Sequence, residues 1–426
     1  MTDIRTHGAV SGPICTLAIQ AAIDACAALG GGTVMVPAGR WVTGALFLAS
    51  HVELHLESGS VLVASRRFED YPLVQSRWEG KTGTVHAPLI GGEHLERIAL
   101  TGRGTIDGQG DAWWGPFREG KLLHPRPRLV AFTSCRDVLI EGVKLINSPS
   151  WTVNPVRCSQ VRIHGISIRN PADSPNTDGI NPDSCSDVVI SDCFVSVGDD
   201  CITLKSGTEA EDGIHRAPCR DIAVTNCILE KGHGGVVIGS EMSGGVKNVV
   251  ISNCLFRGTD RGIRLKSRRG RGGVVENIRV TNIVMEDVLC PLTMNLYYHC
   301  NGGRGVAKVA SREVQPVEAS TPAFRQISLS GIRATGVKLA AAWIWGLPEQ
   351  PVEGLSLIDV SIALDEAWNQ PGEVEMADDL ELVLGQGFFA RNVSGLELRR
   401  VTITGARGLQ LDADSSVSFR GPVEVG

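Results

Sequence analysis

The chain has 426 residues, of which 42% are hydrophobic and 21% charged, and its net charge is −6. That balance excludes a disordered chain, and the negative sign excludes a general attraction to nucleic acid or to an anionic membrane. No run of about 18 uncharged apolar residues occurs, so a membrane-spanning helix is not expected.

The first ten residues carry Asp3, Arg5 and His7 and lack the apolar centre of a secretory signal. Thr16–Leu29 then reads as an amphipathic helix, with Leu17, Ile19, Ile23, Cys26 and Leu29 as its larger apolar residues. The Gly30-Gly31-Gly32 run ends it. Thr33-Val34-Met35-Val36-Pro37 follows as the first strand of what repeats from there on.

The repeat is seen by setting Arg136–Val143, Ser186–Cys193, Arg220–Cys227 and Lys247–Cys254 side by side. Each reads polar, Asp or Asn, apolar, any, apolar, small or polar, Asp/Asn/Gly, then apolar or Cys. Two apolar positions separated by one residue make a short strand with one buried face. Weaker copies centre on Leu54, Leu100, Ile163, Val280, Leu329, Leu357 and Leu398. Ile163 to Ile190 and Val224 to Ile251 are both 27 residues. A period in the twenties with β character describes a solenoid of coils, each of about three strands, stacked at roughly 4.8 Å. The fold class expected is therefore all-β: a right-handed parallel β-helix with an N-terminal capping helix. No low-complexity linker interrupts it, so residues 1–426 are expected to form a single domain, with about 1–45 as cap and first coil. Cys193, Cys227 and Cys254 share one slot of the repeat, which predicts stacked, buried thiols. Others among the 12 cysteines, such as Cys15 and Cys300, are open to pairing.

Four repeats are followed by polar groups: Asn176-Thr177-Asp178, Gly198-Asp199-Asp200, Gly232-His233-Gly234 and Arg264-Leu265-Lys266. They fall 9 to 15 residues after the repeat centre, within one window of the coil. Side chains in one window of successive coils share a wall, here roughly 14 Å long. Alone, an Asp-Asp pair is a solvated turn or a Ca²⁺ site, and Gly-His-Gly is a tight turn. Arg264 and Lys266, continuing into Arg268, Arg269 and Arg271, would ordinarily be a solvated face. Together they give three carboxylates, an imidazole and two cations on one wall. Crowded carboxylates disfavour joint ionisation, so one is held protonated and can protonate a leaving oxygen while a partner activates water. That is the chemistry of inverting glycoside hydrolysis, for which carboxyl groups ordinarily lie roughly 6.5–9.5 Å apart.

In order and spacing the four motifs resemble those of the polygalacturonases, glycoside hydrolase family 28, and the likeness runs from the Thr16 helix to roughly Tyr298. The resemblance implies hydrolysis of α-1,4-linked galacturonic acid with inversion. It makes Asp199 the general acid, gives Asp178 and Asp200 the water, and has His233 tune the acid. Arg264 and Lys266 would grip a substrate carboxylate and Asn176 would line a subsite. Lys205 and Tyr298 join the substrate-binding set, with Tyr297 the alternative to Tyr298. The Gly239–Gly245 and Ser267–Arg271 segments resemble bacterial members, several of which act from a chain end, so exo action is favoured over endo. A rhamnogalacturonan or other galacturonide hydrolase, a β-helix lyase, and a carbohydrate-binding solenoid without catalysis are the competing readings. The expected partner is an acidic polysaccharide or oligogalacturonide. No metal, cofactor, nucleic acid or membrane is expected, and the oligomeric state is left open. Reduced cysteines point to the cytoplasm, with the periplasm or secretion, after removal of a signal peptide, as the alternative.

Overall fold

The computed structural model describes residues 1–210, 216–299, 303–408, 410–411 and 417–425, the last two stretches by their backbone only. The chain divides into two compact units, Met1–Asp199 and Asp200–Gly426. Both are built as parallel β-helix.

In the first unit the repeat centres named from the sequence stand in register. Val34 pairs with Leu54, Leu54 with Leu100, Leu100 with Ile140, Ile140 with Ile163 and Ile163 with Ile190, all parallel. All are buried, so each coil adds one rung to an aliphatic ladder worth roughly 1.5–3 kcal/mol per side chain. A second face runs through Gly39–Thr43, Ser60–Ala64, Thr105–Asp107, Lys144–Ile146, Ser167–Arg169 and Phe194–Val197. The third runs through Leu46–Phe47, Ile90–Glu93, Val130–Thr133 and Val153–Val156. In the second unit Val224 pairs with Ile251, and the ladder continues through Val280, Leu329, Leu357 and Leu398. Between Val246 and Leu364 the first two faces merge into strands of 12 to 15 residues, such as Val246–Arg257 and Ala323–Val337.

The Asp, Asn and Gly slots of the repeat have a backbone cause. Asp137, Asp187 and Asp192 in the first unit, and Asp221, Asn226, Asn248, Asn253, Asn277 and Asn282 in the second, all have φ between 53° and 59°. The left-handed region is open to Gly and, among other residues, most readily to Asn and Asp. In the second unit these side chains also stack: Asn277 donates to Asn248 at 2.9 Å and Asn282 to Asn253 at 2.8 Å.

The N-terminal helix spans Thr16–Ala28 and packs against the first strands with Ile19, Ala22, Ile23 and Cys26. Leu17 and Leu29, expected on the same apolar face, are 86% and 85% exposed. Leu17 precedes Ile19 by two residues, roughly 200° around the helix, and so points away. Two features lacked a repeat signature: a helix at Asp111–Arg118 and an antiparallel hairpin of Leu73–Trp78 with Lys81–His86. Among the described residues no helix is long and apolar enough to cross a membrane.

Eleven described cysteines are reduced and buried. Cys193, Cys227 and Cys254 are among them, as the shared slot predicts, and so is Cys15; Cys300 lies outside the described residues. A second stack was not anticipated. The Cys135 amide meets the Cys158 sulfur at 3.4 Å, and the Cys158 amide meets that of Cys185 at 3.4 Å. Burial pushes the Cys290 thiol up to about 12 and raises the pKa of Cys158 as well.

Candidate active site

In the first unit the Asn176-Thr177-Asp178 segment has no regular strand of its own but is locked to the coil before it. Thr152 donates its amide to the Asp178 carbonyl at 2.9 Å, and Val153 to that of Gly179 at 2.9 Å. Thr177 is buried; its hydroxyl meets the Ser174 hydroxyl at 2.5 Å and accepts from the Gly198 amide at 3.3 Å. One hydroxyl therefore ties this segment to the turn that carries Asp199. Asp178 is 3% exposed, and its Oδ2 accepts from the side-chain Nδ2 of Asn181 at 3.0 Å. Asp199 is half-buried. Asp178 and Asp199 offer carboxylate oxygens within 4.8 Å of one another. That is shorter than the separation ordinarily left for a water between paired carboxylates, so distance alone does not support the inverting outcome expected from the sequence. Two carboxylates this close are also a starting point for a hard cation, which takes six to eight oxygens in the case of Ca²⁺.

Sequence reasoning missed Arg126. The residue is 1% exposed, and its guanidinium donates to the carbonyls of Pro149 and Pro175, at 2.9 and 2.7 Å, and to Oδ1 of Asn176 at 2.7 Å. Phe117 lies under it at 3.7 Å. Burial lowers its pKa to about 10, against the opposing pull of Glu79, Asp178 and Asp199, so it stays charged at neutral pH. It holds Asn176 and places a positive charge within electrostatic reach of both carboxylates.

The second unit begins at Asp200, the residue bonded to Asp199. Asp200 is 1% exposed, and its Oδ2 accepts from Lys266 Nζ at 2.8 Å. Arg264 Nη1 stands 3.5 Å from its Oδ1. In register Arg264 follows Val237, which follows Thr203, so both cations reach back along the coil to meet Asp200. Gly234 makes room for this. A Cβ there would lie 2.4 Å from Val237 Cγ2 and 3.2 Å from Asp200 Oδ1. His233, on the same turn, is exposed.

Arg264 does not present an open fork. Its Nε and Nη2 donate to the two oxygens of Glu375 at 2.8 and 3.1 Å, and the residue is 2% exposed. The grip on a carboxylate expected of Arg264 is made inside the chain, and it is bidentate. Burial opposes the Arg264 charge, yet Glu375, Tyr298 and Asp200 outweigh it and raise its pKa. Burial likewise opposes the Glu375 charge, and Arg264 and Arg261 overcome it, holding the carboxyl at about 2. Lys205 is also engaged internally, donating to Glu241 at 2.8 Å. Of the two tyrosines, Tyr298 lies by the cations, its ring 5.2 Å from Lys266 Nζ and 5.6 Å from the Arg264 guanidinium. Tyr297 packs against Trp345 and Arg312 instead.

Arg268, Arg269 and Arg271 are not the solvated face expected from their sequence. They are 9%, 2% and 3% exposed. Arg269 grips Glu349 at 2.6 and 3.0 Å, while Arg268 and Arg271 share Glu209 at 2.7 and 2.5 Å. Each charge is buried because an acid from a distant loop comes to meet it.

Known proteins of similar sequence and structure bear on this arrangement. A probable polygalacturonase from Vitis vinifera is 35% identical over 342 residues, covering 79% of this chain and 67% of that protein. An endo-polygalacturonase from Pectobacterium carotovorum is 30% identical over 312 residues, covering 68% of this chain and 74% of that one. The chain spans between 47% and 58% of the length of several other plant relatives. The crystal structure of a hyperthermoactive exopolygalacturonase from Thermotoga maritima superposes with a TM-score of 0.79 at 29% identity, over 95% of this chain and 92% of that one. Residues 26–346 match the sequence profile of glycosyl hydrolases family 28, and the chain belongs to that family.

Proposed function

We propose that the protein hydrolyses α-1,4-galacturonosyl linkages of polygalacturonate or its oligomers, acting from a chain end and inverting the anomeric centre. The observation that carries this reading is the difference in setting among the three carboxylates. Asp178 and Asp200 are buried and each is held by a donor, while Asp199 is only half-buried. An acid that must meet a leaving oxygen needs access, and carboxylates that hold a water need fixed orientation. Asp199 is accordingly the general acid, Asp178 and Asp200 direct the water, and His233 adjusts the acid's proton. Arg264, Lys266 and Tyr298 set a positive field for the sugar carboxylate, with Arg264 using the N–H groups that Glu375 leaves over. Asn176, oriented by Arg126, lines the subsite; Lys205, held by Glu241, completes the substrate-binding set. The reading needs both units in one catalytic domain, since the acids are divided between them. Inversion is supported by family membership and not by the carboxylate spacing. Buried reduced thiols favour the cytoplasm as the site of action.

Reducing-end release from polygalacturonate tests the activity. Asp199→Asn should keep the fold and lose several orders of magnitude in rate, and near-normal turnover would reject the assignment. Proton NMR of the first product should show the β-anomer before mutarotation. A parallel assay on rhamnogalacturonan separates the proposal from its nearest alternative.

A further inference from the structure

The segment at 365–385 joins the strands Val352–Leu364 and Gln386–Arg391, and within it Glu373–Met376 lies across the strand Arg261–Lys266, which carries both cations, and the next strand, Cys290–Asn295. The carbonyls of Val374 and Glu373 accept from Arg261 at 3.0 and 2.7 Å. The Glu375 carboxylate takes the Arg264 fork and a hydrogen bond from Thr293 at 2.8 Å. The Met376 carbonyl accepts from Asn295 at 3.2 Å. In register Thr293 is the next rung after Arg264, and Asn295 the next after Lys266. The strap therefore covers the coil that directly follows the two cations. Its anchoring group is a carboxylate, the same chemical group that every galacturonate unit carries.

Resting on the function proposed above, we infer that Glu375 is a specificity-determining residue. It occupies the Arg264 fork with a carboxylate of the chain's own and pins a strap that ends the sugar-binding wall after the Arg264–Lys266 coil. A polygalacturonate chain running along successive coils meets a stop there, so only a chain end can be accommodated and short products leave. The cations are kept for one sugar rather than offered to a continuing polymer. Electrostatics favours this use of the strap, since a buried ionised carboxylate held by two arginines does not leave its place at neutral pH.

Two experiments test this. With the wild-type protein, kcat/KM on oligogalacturonates from dimer to hexamer should stop rising after the shortest members, and early products from polymer should be of one short length. In a variant whose residues 366–384 are replaced by a short Gly-Ser linker, and in Glu375→Gln, products longer than the dimer should rise several-fold, and viscosity should fall faster per bond broken. A merely structural role for Glu375 would lower the rate without changing product length. Folded variants with unchanged product lengths would overturn the inference. So would a wild-type protein whose kcat/KM climbs through the hexamer and whose early products are mixed, and that result needs no variant to fold. Absence of any galacturonide hydrolysis would instead bring down the function itself, and the strap's role with it.

Discussion

Glu375→Gln has a second consequence, in the acid limb of stability. The folded carboxyl sits at about 2, against 4.5 for an ordinary glutamate, because two arginines outweigh its burial. A depression of that size corresponds to about 3 kcal/mol. A group whose folded pKa is depressed contributes stability above its unfolded pKa and loses it as pH falls through the folded one. The amide keeps the shape and its oxygen can still accept from Arg264 Nε and Thr293, but its NH2 replaces the acceptor for Arg264 Nη2 and leaves the Arg264 charge uncompensated beside it. At pH 7 the variant should therefore be less stable by about 3–5 kcal/mol, or roughly 3–5 °C in Tm for a chain of this length. The gap should hold down to about pH 4.5 and close progressively toward pH 2. Paired unfolding curves of the two proteins, recorded at each pH, measure it. Other groups titrate equally in both and cancel. A gap that stays constant between pH 7 and pH 3 would refute the reasoning, as would no gap at pH 7.

Glu241, also held at about 2, by Lys205 and Arg271 against its burial, should repeat this pattern in Glu241→Gln. Arg126→Met should cost about 2–4 kcal/mol of stability and lower kcat/KM at least about tenfold, because Asn176 loses its tether; unchanged kinetics would remove Arg126 from the site. Thiol titration of the native protein should leave the described cysteines unreacted, and denaturant should expose nearly all of the 12. Methyl-esterified pectin should be a poor substrate, since esterification removes the charge that Lys266 and Arg264 meet.

The repeat was legible because it is local. Every centre from Leu54 to Leu398 occupies a ladder rung, and the Asp and Asn slots mark left-handed corners. The polar motifs were legible for the same reason, since each follows its repeat at a set distance. The partners of the charges were not. Arg264 and Glu375 are 111 residues apart, Arg269 and Glu349 are 80, and Arg126 and Asn176 are 50. Nothing near Glu375 in the sequence distinguishes it from any loop acid. An Arg-rich run reads as solvated until the loops that neutralise it are placed. Cys135, Cys158 and Cys185 each stand one residue before a strand, outside the alternating pattern that marks the repeat.

The stacked thiols also set the terms on which the protein can be lost. Folded, they are buried, and air has little to attack. A single excursion to the unfolded state exposes 12 thiols at once, any two of which can be oxidised together. In an oxidising medium such a chain cannot rebuild rungs that require every sulfur reduced. Thermal inactivation there should be irreversible and dependent on scan rate, with a half-life set by the unfolding barrier. Under reducing conditions the same chain has no crosslinks to sort and should recover on cooling.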